Sequence, residues 1–232
     1  MVSVGTESVT ATGYKTIPDL VAGKIHDRIM SGEIPPGSHL RLSELAKEFG
    51  TSQMPIREAL RRLESLGLVD IHAHRGAFVR QLSEKDFQDT MEVRMLLERT
   101  AIERAASRFS QELAMHARDL LHRHNSLHAQ GDEIAARELH TEFHHFLYRA
   151  SGSDWLLRAI DPVWRNSERY RFGYSRDKHS HDSEAEHVEI IAACESGNTH
   201  RAGEALVQHL SSASERMTRS MRSRTQGAEE VS

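Results

Sequence analysis

Between Leu42 and Val79 the chain reads LSELAKEFGTSQMPIREALRRLESLGLVDIHAHRGAFV, and its apolar period changes along the way. Leu42, Leu45, Ala46 and Phe49 recur at helical spacing, which predicts a short helix over Ser43–Phe49 with Gly50 as the turn behind it. Ile56, Ala59, Leu60 and Leu63 then repeat at i, i+3, i+4 and i+7, the core stripe of a second helix. Thr51 or Ser52 can cap that helix, and Pro55 sits in its first turn, where a missing N–H does little harm. Gln53, Arg57 and Arg61 fall on a different face and point away from the stripe. After Gly67 the period drops to two. Leu68–Ile71 reads as a strand, Ala77–Val79 as its partner, and His72–Gly76 as a hairpin tip carrying Arg75. Two helices joined through a glycine turn and followed by a hairpin make a winged helix-turn-helix, whose second helix suits a DNA major groove.

Residues 1–15 are Ser/Thr/Gly-rich and nearly lack large apolar side chains, so a disordered tail is expected there. Pro18 and Asp19 open a helix with Val21, Ile25 and Ile29 on one face, ending at Ser31-Gly32. From Ser83 onward helical periodicity replaces strand alternation. The expected helices are 84–108, 110–129, 132–150, 153–174, 181–196 and 199–223, with residues 225–232 frayed. Short breaks between long amphipathic helices imply antiparallel neighbours. The expected fold is therefore mainly α: a winged helix-turn-helix over 16–82, with three helices and a small β-hairpin, and an all-α antiparallel bundle over 83–224.

Bulk composition narrows the class. The chain has 232 residues, 38% hydrophobic and 28% charged, enough to form a core in water. No apolar run approaches the roughly 20 residues of a membrane helix. No secretory signal is visible, and a single cysteine, Cys194, excludes an intramolecular disulfide, so a cytoplasmic protein is expected. The net charge is −4, and Arg41–Arg80 holds seven Lys/Arg against five Asp/Glu, so electrostatics alone does not single out DNA. The unusual number is 16 histidines, 12 of them between His116 and His209.

Pro55-Ile56-Arg57-Glu58-Ala59-Leu60-Arg61-Arg62-Leu63-Glu64, with Gly67-Leu68-Val69 and Arg75-Gly76-Ala77-Phe78-Val79, closely resembles the winged helix of GntR-family transcription regulators. Ile34-Pro35-Pro36-Gly37 and Leu45-Ala46 fit the same pattern. The resemblance implies that Ser52, Gln53 and Arg57, with Arg61 on the same face, meet bases or phosphates, and that Arg75-Gly76 forms the wing tip near the minor groove. Gln53 and Ser43 depart from the family, where arginine is frequent at both positions. Glutamine pairs with adenine and arginine with guanine, so the family's operator preference does not transfer. Glu92-Val93-Arg94 with Leu97-Glu98, Phe143-His144, Ala150-Ser151-Gly152 and Glu186-His187 resemble the FadR-type effector domain called FCD, an all-helical bundle.

His140 and His144 lie four apart on one helical face, close enough to share a metal. Resemblance to metal-binding FCD domains implies that His140, His144, His187 and His209 are the ligands, with His140 standing where aspartate is common. An all-imidazole set suits zinc first, with nickel or iron also possible, and disfavours magnesium or calcium. The uncompensated +2 charge would favour a carboxylate effector at an open position. Arg94 reads either as a second clamp on that carboxylate or as an intrahelical partner of Glu98. His124 and His128 match no ligand position and read as a surface face. Arg216, Arg219, Arg222 and Arg224 read as a solvated helix end, with DNA-backbone contacts as the alternative.

The resulting expectation is a homodimeric regulator that reads a pseudo-palindromic double-stranded operator under control of a small organic acid. The alternative is a metal-dependent small-molecule binder or enzyme using its winged helix for protein contacts. Catalysis has little support. His140-Thr-Glu-Phe-His144 displaces its glutamate about 100° from the metalloprotease position, and no nucleophile elbow, P-loop or dinucleotide fingerprint is present.

Overall fold

Thr16 opens the first helix with a reciprocal cap. Its side chain accepts from the Asp19 backbone N–H, while the Asp19 carboxylate accepts from the Thr16 N–H. The computed structural model describes residues 16–174 and 181–229, so the expected tail 1–15 and the polar break 175–180 lie outside the described residues. The chain divides into two compact units, one through Arg80 and one from Gln81.

In the first unit, α1 (Ile17–Met30) turns Val21, Ile25, Ile29 and Met30 inward. Then come β1 (His39–Leu40), α2 (Leu42–Glu48), α3 (Gln53–Ser65), β2 (Val69–His72) and β3 (Gly76–Val79). The four apolar residues expected on α3, Ile56, Ala59, Leu60 and Leu63, are all buried. The sheet holds one strand more than the expected hairpin. Its order is β1-β3-β2, all antiparallel, with His39 opposite Phe78 and Val69 opposite Val79. A two-residue strand is too short to show alternation, so β1 has no sequence signature of its own. Gly76 has φ 91°, and a Cβ there would meet Nε2 of His39 at 2.6 Å, so the wing requires glycine at this point.

The second unit is helical: α4 (Glu84–Ala106), α5 (Gln111–Ala129), α6 (Glu133–Arg149), α7 (Asp154–Tyr174), α8 (His181–Glu195) and α9 (Thr199–Glu229). Ser83, Ser110 and Asp132 cap α4, α5 and α6 by accepting the backbone N–H three residues on. α4 packs against α6, α7, α8 and α9, around a core that includes Ile102, Leu120, Phe143, Leu147, Trp164, Ile190 and Leu206. The last helix runs to Glu229 rather than ending at 223 and fraying from 225. No proline interrupts it, and Gly227 near its end costs only about 1 kcal/mol in a helix interior.

Leu60 is 2% exposed at the centre of the first core. Leu60→Ala is expected to destabilise that unit by about 2–5 kcal/mol, measured by urea denaturation. A loss below about 1 kcal/mol would mean that α3 does not pack as described.

Candidate metal centre and nucleic-acid interface

The first unit sorts its arginines into two groups. Arg28 pairs with Glu33 and Glu48, Arg41 with Glu44, Arg62 with Asp19, and Arg80 with Asp70. Arg57 and Arg61 on α3 and Arg75 at the wing tip are exposed and make no ion pair with a described residue. Ser52 occupies the N-cap position of α3, but its side chain makes no cap hydrogen bond. Ser52, Gln53, Arg57, Arg61, Arg75 and Gly76 are thus all solvent-facing, with three guanidiniums uncommitted. Met54, 63% exposed beside Gln53, was not singled out by sequence reasoning, because a lone methionine off the apolar stripe carries no signal of its own. It offers an apolar contact of the kind a thymine methyl accepts.

In the second unit, α6 carries His140 and His144, α8 carries His187 and α9 carries His209. All four are buried, and one ligand atom from each lies within 4.8 Å of the others. Nε2 of His144 and Nε2 of His187 are 3.2 Å apart. Two nitrogens bound tetrahedrally to zinc would be about 3.4 Å apart, so these side chains fit such an ion. His145, rotated around α6 from His144, is outside the group.

The neighbours assign the tautomers through the hydrogen-bond network. Tyr148 donates its one proton to Glu98 at 2.6 Å, so the His144 Nδ1–H must be the donor to Tyr148 Oη at 3.3 Å. That leaves the His144 Nε2 lone pair facing the other rings. His209 donates from Nδ1 to Glu186 at 2.9 Å, which likewise frees its Nε2. His140 is arranged in the opposite sense: Arg171 donates to its Nδ1 at 3.0 Å, which places the ring proton on Nε2. Ligation by His140, through Nδ1 or through Nε2 once the proton moves to Nδ1, therefore displaces the Arg171 hydrogen bond. Nε2 of His187, 3.2 Å from the His144 Nε2 lone pair, is the donor of that contact and must give up its proton to ligate, whereas His144 and His209 need no change of tautomer.

Arg94 lies against the same group. Its Nε–H and one NH2 proton go to the two oxygens of Glu98, at 2.6 and 3.2 Å. Its NH1 protons go to Ser167 at 2.9 Å and to the Met91 sulfur at 3.8 Å. Burial works against the Arg94 charge, but Glu98, itself 0% exposed, more than offsets this and raises its pKa. Of the two sequence readings, the intrahelical pair is the one present, and one of the five guanidinium protons is left for an incoming acid.

Residues 19–79 match the gntR family of bacterial regulatory proteins, and residues 89–212 match the FCD domain. The probable D-xylose utilization operon transcriptional repressor of Paenarthrobacter nicotinovorans is 32% identical over 204 residues, covering 86% of this chain and 90% of that protein. The chain belongs to the GntR family. The transcriptional repressor GlaR of Escherichia coli K12 is 28% identical over 198 residues, 78% of this chain and 87% of its own. The E. coli McbR/YncC structure shares the fold, with TM-score 0.74 at 18% identity over 88% of this chain and 98% of that one. A GntR-family regulator from Pseudomonas syringae pv. tomato is 28% identical with TM-score 0.54, covering 91% and 89%.

This GntR protein is accordingly a transcription regulator with an FCD domain, not an enzyme. None of its described helices is long and apolar enough to cross a membrane. Two sequence expectations about the FCD unit need correction. His124 is 1% exposed, not on a surface face, and its Nδ1 lies 2.8 Å from the Ala136 carbonyl oxygen, which ties α5 to α6. Arg216 is not part of a solvated helix end but reaches Glu186, whereas Arg219 and Arg222 are exposed as expected, Arg222 with an ion pair to Glu84. The side chain of Arg224 lies outside the described residues. Cys194 is in the core as expected, and burial pushes its thiol up to about 12. Glu98, Tyr148 and Glu186 were missed as supports. The Arg94–Glu98 spacing and the Glu186-His187 dipeptide were the available signals.

Burial holds His140 and His144 well below the ordinary imidazole value of 6.5, and holds His209 below it against the opposing pull of Glu186. The unfolded chain takes up these protons near that value while the metal-free fold does not. Stability is then full above about pH 6.5 and is lost as pH falls, by up to about 1.4 kcal/mol per pH unit for each ring. Melting temperature of chelator-treated protein should hold steady from about pH 8 to 7 and decline from about 6.5 to 5. A flat profile would show that the rings titrate normally.

Proposed function

We propose that this regulator binds a pseudo-palindromic operator as a homodimer, and that a small carboxylate effector at a transition metal in the FCD unit sets its operator affinity. The observation that carries the reading is the group of four buried imidazoles whose ligand atoms lie within 4.8 Å. Burying that many polar rings together is costly without a shared partner, and a divalent ion is one that all of them can accept. His144, His187 and His209 would hold the ion. His140 would compete with the effector for the remaining position. Zinc suits such a set, and nickel and iron(II) suit it next. Bound there, the ion would supply a positive centre for a carboxylate oxygen. Arg94 adds its charge and its one remaining N–H nearby.

On the DNA side, Ser52, Gln53, Arg57 and Arg61 would meet the major groove, and Arg75-Gly76 the minor groove. The uncommitted state of the three arginines supports this reading, because no internal ion pair must be broken to engage a phosphate. The two relatives above are both named as transcriptional repressors, which supports repression as the sense of control.

Protein purified without an affinity tag should contain near-stoichiometric transition metal by elemental analysis, and His144→Ala and His187→Ala should each abolish it. Occupancy that survives either change would remove the site. For the DNA face, an operator selected from a random duplex library should lose about tenfold or more in affinity with Arg57→Ala, with a shallower salt dependence. Unchanged binding by that variant would mean that another surface reads the DNA.

A further inference from the structure

Alternation along β3 buries Ala77 and Val79 and turns Gly76 and Phe78 to the outer face of the wing sheet. The register sets residues of both neighbouring strands on that same face: His39 and Asp70 opposite Phe78, and His72 opposite Gly76. The His39 ring stacks on Phe78, with centroids 4.5 Å apart and planes 12° from parallel. From the strand on the other side, the His72 ring lies 5.8 Å from that of Phe78. Gly76 is bracketed as well: His72 is its partner on β2, and Nε2 of His39 occupies the space that a Cβ would need. Both histidines are exposed, and neither forms an ion pair with a described residue. The charged groups around them are committed elsewhere or are cationic. Asp70 is held by Arg80 at 3.0 Å, Glu64 of α3 accepts from the Ile71 backbone N–H at 3.3 Å, and Arg41 pairs with Glu44. The tip adds His74 and Arg75, both exposed.

We propose that His39 and His72 form a second, proton-gated phosphate contact of the wing, so that operator affinity rises as pH falls through the imidazole range. The inference rests on the reading that places Arg75-Gly76 at the minor groove, because both imidazoles flank that glycine. From His39 to Arg80 there are seven Lys/Arg against five Asp/Glu, a net +2, and protonating these two rings makes it +4. Imidazole is the side chain whose charge ordinarily changes between about pH 5 and 8, and a nearby phosphate favours its charged form. The face of Phe78 against His39 favours the same form, because an aromatic face attracts a cation. Protons held more tightly in the complex than in the free protein strengthen binding at low pH, and the gain is lost as pH rises through the range of the complex. Each added charge that neutralises a phosphate also steepens the salt dependence by about 0.9. Arginines supply no such response, since they stay charged throughout.

The test measures affinity of the full chain for an operator selected from a random duplex library, at about pH 8 and about pH 6, with a salt titration at each. The expected result is about a tenfold gain at the lower pH and a salt slope steeper by about 1 to 2 per subunit. The double variant His39→Gln, His72→Gln should match the parent at about pH 8 and lose most of the gain at about pH 6. A merely structural role would instead weaken binding at both. Comparing the two proteins at each pH cancels titrations in the helical unit, which both share. Arg75→Ala serves as the control for the wing and should weaken binding at both pH values. If it does so while the double variant keeps the gain, or while the parent gains less than about twofold, the inference is overturned and the wing reading stands. If Arg75→Ala binds as tightly as the parent, the wing reading falls and the inference with it. Should the double variant not fold, His72→Gln alone, which leaves the His39–Phe78 stack in place, should remove about half of the gain on a logarithmic scale. Removal of none of it would overturn the inference.

Discussion

Polar rings can sit in a helical core only if each is kept neutral and given a partner, and that constraint shapes the second unit. His144 is 0% exposed, as is Glu98, and the two are joined through the Tyr148 hydroxyl. Glu98 is anionic in a dry setting and is tolerable there only because Arg94 binds both of its oxygens. One buried ion pair thus fixes a tyrosine proton, which fixes an imidazole tautomer, which frees one nitrogen lone pair. Glu186 performs the same task for His209 from the adjacent helix. The support runs through α4, α6, α8 and α9, so the geometry of the imidazole group is a property of the bundle and not of any one helix.

The first unit obeys a different economy, in which charges are arranged by what they leave unpaired. Its core is apolar, built from α1, α2, α3 and the inner faces of the three strands. Arginines that border the core or the neighbouring helices are neutralised locally, as Arg62 is by Asp19. Those on the outer face of α3 and on the wing are not. With only a mild excess of positive charge in this segment, affinity for a polyanion depends on this placement and not on bulk charge.

Periodicity made the winged helix legible. The stripe on α3 is strict, Gly67 marks where helix gives way to strand, and Gly76 marks the turn between β2 and β3. β1 escaped because two residues carry no period. In the bundle, the i, i+4 spacing placed His140 and His144 on one face, but nothing in spacing joins them to His187 and His209 on other helices; resemblance to a family supplied that link. The roles of Glu98 and Tyr148 were illegible because tertiary packing, not local sequence, chose their partners. His124 misled for a related reason: a polar residue looks like surface until a carbonyl across the interface meets it. The difference between His140 and the rings of His144 and His209 also depends on a tertiary neighbour, Arg171, from α7.

α9 carries both His209, within the imidazole group, and Arg222, which grips Glu84 at the first residue of α4. The helix between them is unbroken, so at 1.5 Å per residue their separation along the axis is held at roughly 20 Å. It is a stiff connecting rod, not a chain of adjustable contacts. A rotation or slide of α9 large enough to reposition the His209 ring must carry the Arg222 guanidinium with it.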